Sequence, residues 1–174
     1  AVIARDPADL DHLKTWANVT GVTGAPFDAY LTLRGLRTLF PRIEQQQRSA
    51  AAIADFLQNH PQVSAVHYPG LTSHPGHAVA ARQQAGYGAM LSLDLAGGLE
   101  SVRSFLGALK VFTLAESLGG VESLISHPAS MTHSHMSPSQ LADAGISWTT
   151  VRLSIRLEDP GATGNWDFAL TGGA

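Results

Sequence analysis

At 174 residues, with 44% hydrophobic and 14% charged residues, the chain has a globular composition and the length for one sizeable core, or for one domain plus part of another. A formal net charge of -3 and only two lysines, Lys14 and Lys110, exclude a basic stripe for nucleic acid; no apolar run is long enough to span a bilayer, and no signal peptide is visible. Zero cysteines exclude disulfides and thiolate metal sites and fit a reducing compartment, so a cytoplasmic protein with no nucleic-acid or membrane partner is expected.

The chain opens on Ala1-Val2-Ile3-Ala4, which reads as the end of a strand and suggests a fragment. Asp6-Pro7 then starts a helix: Asp6 caps it, Pro7 suits its first position, and Asp9 adds negative charge to its first turn. Residues 18–24 read as a loop broken by Gly21 and Gly24, with Asn18 as a capping or turn residue. From Pro26 a second helix is apolar nearly all round, through Phe27, Tyr30, Leu31, Leu33, Leu36, Leu39 and Phe40, and is expected to be buried between layers. Pro41 should kink or end it. A third helix over residues 42–59 has Ile43, Ala50, Ile53 and Leu57 as its core stripe. The Pro41 region, followed by Gln45-Gln46-Gln47, marks the expected domain boundary.

Beyond Pro61 the period changes. Residues 63–68 and 88–95 alternate as strands, with Leu91, Leu93 and Leu95 on one face and Met90, Ser92 and Asp94 on the other. Helices are expected over 78–84 and 99–109, strands over 111–115 and 121–125, a short helix capped by Ser137-Pro138 and ending at Gly145, and a last strand over 150–155. This order predicts an α/β (α+β) fold whose mixed or antiparallel sheet has helices on one side.

The chemistry concentrates between Phe112 and Arg152, where strands flank loops. Arg152 alternates with Val151 and Leu153, so it lies on the sheet face opposite the core. Its rigid fork matches a carboxylate, although solvated arginines on wet sheet faces are common. Glu116-Ser117 precedes Gly119-Gly120. The pair either faces water beside a tight strand-turn-strand or presents a carboxylate and a hydroxyl to a cleft. His127, His133 and His135 match no standard zinc spacing, so no metal is expected.

Glu116-Ser117-Leu118-Gly119-Gly120-Val121-Glu122-Ser123-Leu124-Ile125-Ser126-His127, with Met131-Thr132-His133, resembles the C-terminal signature of the cystathionine-type pyridoxal-phosphate enzymes of cysteine and methionine metabolism. Gly21-Val22-Thr23-Gly24, Phe27-Asp28-Ala29-Tyr30-Leu31 and Leu33-Arg34-Gly35-Leu36-Arg37-Thr38-Leu39 resemble the segment linking their large and small domains. Val151-Arg152-Leu153-Ser154 resembles their closing strand. The likeness covers about residues 1–160 and leans toward the family's gamma-synthase branch.

The resemblance implies the C-terminal part of a fold type I enzyme. Residues 1–41 would be the end of the large cofactor-binding domain and the linking helix, 42–160 the small domain, and 161–174 a divergent, weakly ordered tail. It implies that Arg152 grips the substrate α-carboxylate, that Ser117 lies beside that carboxylate, and that Glu116 is tied to gamma-replacement and gamma-elimination. Asn18 would lie near the distal end of the substrate, and Thr132 on a loop lining the pocket. The cofactor is pyridoxal 5'-phosphate, but its lysine should lie before Ala1. Neither Lys14 nor Lys110 is at its place, so this chain alone is expected to be inactive. A homotetramer serving methionine biosynthesis is implied, with an amino acid as substrate and the N-terminal part of the same enzyme as partner. Within the family a gamma-lyase or a homoserine sulfhydrylase is the runner-up, and the competing reading outside it is a non-catalytic α/β assembly module. The apolar helix after Pro26 argues against that as an independent monomer.

Overall fold

The computed structural model describes residues 2–158. The chain divides into two compact units, Ala1–Leu39 and Phe40–Ala174. The tail predicted over 161–174 lies outside the described residues.

In the first unit, α1 (Pro7–Thr20) begins as its sequence dictates: the Asp6 carboxylate accepts from Ala8 N–H at 2.9 Å, and Pro7 fills the first position. It runs further than predicted. Thr20 donates its hydroxyl to the Trp16 carbonyl at 2.6 Å, and Gly21 closes the helix in the left-handed region at φ 68°. Asn18 therefore lies in the last turn of α1 and is not a loop residue. Val2 to Ala4 have no regular structure, contrary to the strand end expected there.

The second helix, α2 (Pro26–Leu36), buries no residue, and Phe27 is 67% exposed. Nothing among the described residues forms the covering layer that its composition predicted. The break after α2 falls at Arg37 and Thr38, before Pro41. Helix α3 (Leu39–Leu57) instead takes Pro41 into its first turn, where a missing N–H costs no hydrogen bond.

The second unit is a five-stranded sheet of β1 (Val63–His67), β2 (Met90–Leu95), β3 (Thr113–Leu114), β4 (Leu124–Ser126) and β5 (Thr150–Ser154), in the order β1-β2-β5-β4-β3. Pairs β1–β2, β2–β5 and β4–β5 are antiparallel. Pair β3–β4 is parallel, which makes the sheet mixed. The expected fold class stands.

Period-2 alternation puts Leu91, Leu93, Leu95, Val151 and Leu153 on one face with Ile125. Against it pack Ala50, Ile53, Ala54 and Leu57 of α3 and Val102 and Phe105 of α5 (Leu99–Ala108). Each large side chain so buried contributes roughly 1.5–3 kcal/mol. Ile43, predicted in the α3 stripe, is exposed; the buried stripe starts at Gln46. Two short helices, α4 (His77–Gln83) and α6 (Pro138–Asp143), complete the unit. Helix α6 starts from a capping box: Ser137 accepts from Gln140 N–H, and the Gln140 side chain accepts from Ser137 N–H.

Candidate functional site

The sheet face turned away from α3 and α5 is polar by register. On β5, Thr150, Arg152 and Ser154 point there. Across β2 they meet Asp94, Ser92 and Met90, and across β4 Arg152 and Ser154 meet Ser126 and Leu124. Strand β5 is paired on both sides, so the root of Arg152 is fixed by two ladders.

Arg152 reaches the segment between β3 and β4. Its Nη2 donates to the backbone carbonyls of Glu116 at 2.9 Å and Ser117 at 3.3 Å. This segment is no hairpin turn. Because β3 and β4 run parallel, with Thr113 opposite Leu124 and Leu114 opposite Ile125, residues 115–123 form a crossover loop. Gly119, at φ 87°, supplies its left-handed bend. The Glu116 and Ser117 side chains are exposed and make no hydrogen bond among the described residues. Arg152 thus brings Glu116 and Ser117 together through their backbone.

Under the guanidinium the face is polar and unpaired. Arg152 Nε, Ser126 Oγ and Ser154 Oγ are all buried without a hydrogen-bond partner, and both serines are 0% exposed. Unsatisfied polar groups in a sheet centre are costly. The sequence signal was available for Ser154, which falls on the alternation that places Arg152, but not for Ser126, which lies one residue past the strand expected over 121–125.

Thr132 follows the 3₁₀ turn Pro128–Ser130 and bonds through Oγ1 to His133 Nδ1 at 2.8 Å. That turn packs against β5. His127, expected on a polar loop, is 4% exposed. Its Nε2 meets the Trp148 carbonyl at 3.0 Å and its Nδ1 meets Ser130 Oγ at 2.6 Å. A carbonyl only accepts, so Nε2 carries a proton, and both ring nitrogens are spent on structure. Among the described residues no group of three histidine or carboxylate side chains suits a metal. Asn18 belongs to the first unit, in α1.

Two further clusters escaped sequence reasoning. Asp94 accepts hydrogen bonds from Thr150 Oγ1 and, at 3.1 Å, Ser147 Oγ, while His67 Nε2 lies 2.8 Å from its other oxygen. Burial pushes the Asp94 carboxyl up, but the bonds from Thr150, His67 and Ser147, with the charge of His67, outweigh it and hold the carboxyl below its ordinary range. Ser123 N–H and Oγ both donate to Glu158, at 2.6 and 2.7 Å, and Ser123 Oγ accepts from Arg156 N–H at 3.1 Å. The Arg156 side chain is 3% exposed, and burial lowers its pKa against the opposing pull of Glu158 and Glu122.

The polar sheet face thus carries one central arginine, bonded to a loop that bears a carboxylate and a hydroxyl, and a guanidinium is by its chemistry a partner for anions. Comparison with known proteins gives the family. Residues 1–162 match the profile described as "Cys/Met metabolism PLP-dependent enzyme", and the chain belongs to that family. It is 57% identical over 158 residues to the cystathionine gamma-synthase of Escherichia coli strain K12, covering 91% of this chain and 41% of that protein. It is 50% identical over 147 residues to the cystathionine gamma-lyase of Dictyostelium discoideum, covering 84% of this chain and 38% of that one. The crystal structure of cystathionine gamma synthase from Xanthomonas oryzae pv. oryzae, in complex with aminoacrylate and cysteine, superposes with a TM-score of 0.90 at 54% identity, over 97% of this chain and 44% of that one. The chain thus spans about two fifths of the length of these curated relatives. Solved structures of the same kind are fold type I pyridoxal-phosphate enzymes.

Neither lysine of the chain is placed to hold the family's cofactor covalently. Lys14 lies on the outside of α1, 3.7 Å from Asp11, and Lys110 lies exposed between α5 and β3. Neither is set in a polar pocket that would seat a covalently held pyridoxal. Among the described residues no helix is long and apolar enough to cross a membrane.

Proposed function

We propose that this chain supplies the carboxylate-binding side of a pyridoxal-phosphate enzyme whose whole reaction is gamma-replacement on an O-acyl-homoserine by L-cysteine, giving L-cystathionine. The observation that carries the proposal is Arg152, which stands between two ladders on a polar sheet face with its Nη1 bonded to no protein atom among the described residues. Its guanidinium binds the substrate α-carboxylate, with Ser117 beside that carboxylate. Glu116 faces the reacting side chain, Thr132 lines the pocket and Asn18 serves the distal end of the substrate. Residues 1–41 then belong to the large domain and its linking helix, and 42–160 to the small domain. The assembly is a cytoplasmic homotetramer working in methionine biosynthesis. The likeness to a gamma-synthase at 57% identity favours replacement. The likeness to a gamma-lyase at 50% favours elimination from cystathionine as the second reading.

The test is kinetic, in the full-length enzyme. Losing a charge-assisted, two-pronged contact costs about 3 kcal/mol, so Arg152→Ala should raise KM for the homoserine ester on the order of a hundredfold. Arg152→Lys, a point charge without a fork, should recover only part of this. An unchanged KM removes Arg152 from its role. Product analysis with cysteine present or absent separates replacement from elimination.

A further inference from the structure

The bonds of Arg152 set a condition on how it grips a ligand. A guanidinium offers two edges for a two-pronged carboxylate contact: the end, Nη1 with Nη2, and the side, Nε with Nη2. The third edge is blocked by the side chain's own Cδ. Both usable edges share Nη2. That nitrogen has two hydrogens, and here it serves two loop carbonyls, Glu116 at 2.9 Å and Ser117 at 3.3 Å. Nε is buried, while Nη1 donates to no protein atom among the described residues. The open edge is therefore the end, and half of it is committed to the crossover loop.

We infer that Arg152 exchanges the loop for the ligand: a carboxylate held on both prongs displaces at least one of these two carbonyls, so residues 115–123 are latched in the free protein and released on binding. This rests on the proposal that a carboxylate binds Arg152. The longer bond, to Ser117, is the one expected to yield. The loop has little else to hold it near the latch. The Glu116 and Ser117 side chains are exposed and without hydrogen bonds among the described residues, and the left-handed Gly119 follows. At its far end Ser123 is anchored to Glu158 by two bonds. Release therefore moves the segment carrying Glu116 and Ser117 and leaves β4 in place. The exchange makes the site selective for ligands with two coplanar anionic oxygens, because a single acceptor on Nη1 leaves the latch closed.

The test is an NMR titration of the purified 174-residue chain with L-cystathionine, and separately with the same molecule amidated at both of its α-carboxyl groups. The Arg152 Nε–H signal reports occupancy, and the carbonyl carbons of Glu116 and Ser117 report the latch. With L-cystathionine, at least one of those carbonyls should move upfield in step with Arg152, and the backbone order parameters over residues 116–120 should fall. The bis-carboxamide should leave both carbonyls unmoved. Arg152→Ala should show the lowered order parameters without ligand. If Arg152 responds while both carbonyls and the order parameters stay fixed, the exchange is overturned and the carboxylate proposal survives. If Arg152 does not respond to L-cystathionine at any concentration, the exchange is overturned, and the carboxylate proposal is decided separately by the KM of Arg152→Ala in the full-length enzyme.

Discussion

Replacing Asp94 by asparagine tests whether the polar end of the sheet is held by charge or only by shape. Two hydroxyls, Thr150 and Ser147, donate to one oxygen of Asp94, and His67 approaches the other at 2.8 Å. Asparagine keeps the size and one acceptor oxygen, so both hydroxyl contacts survive as neutral bonds. A hydrogen bond to a charged group is stronger than a neutral one by about 1 kcal/mol, so two bonds lose about 2 kcal/mol. The His67 share is discounted, because that ring is 49% exposed and its pairing is screened. About 2 kcal/mol lowers the melting temperature by roughly 4–8 °C in a chain of this size. The assay is urea unfolding followed by far-UV circular dichroism, at neutral pH and again at the lowest pH where the wild type still gives a transition. The sign follows from the lowered carboxyl. Its contribution is fully present above the unfolded value, near 3.8, and fades as pH falls through the folded value. The two proteins should differ at neutral pH and converge in acid. A gap of the same size at both pH values, or no gap at neutral pH, would refute the charge argument.

Two further outcomes are expected. Leu153→Ala, on the central strand and 0% exposed, should lower stability by about 2–5 kcal/mol in the same urea assay, with the value set by how far the core closes over the cavity. Ser137→Ala removes one arm of the α6 capping box and should cost about 1 kcal/mol, read most directly as faster amide exchange in the first turn of α6.

Much of the fold was legible because its strands obey a local rule. Residues 90–95 and 150–154 alternate cleanly, and this fixed both the core face and the side on which Arg152 stands. What escaped was non-local. Strand direction leaves no local mark, so Gly119-Gly120 read equally well as a hairpin turn, whereas β3 and β4 run parallel. Asp94 was legible as a polar residue on a strand. That Ser147 and Thr150, more than fifty positions away, would converge on it was not. His127 looked like a loop histidine because nothing nearby in sequence announces the Trp148 carbonyl. Helix α2 shows the reverse error: its composition asks for a covering layer that the described residues do not provide. Asn18 was misplaced by one turn, since Gly21 ends α1 later than the residue types around Asn18 suggest.

The strand that carries Arg152 is the last of the five to be synthesised, yet it is third across the sheet. Until β5 leaves the ribosome, β2 and β4 each lack the neighbour that satisfies one row of backbone donors and acceptors. The sheet therefore closes in a single late step, with long-range contacts made after most of the chain already exists. A nascent chain stalled before β5 keeps two open strand edges and lacks Val151 and Leu153 from its core, the features that invite chaperones and proteases. A molecule complete enough to escape degradation is thus also one that has Arg152 set between β2 and β4.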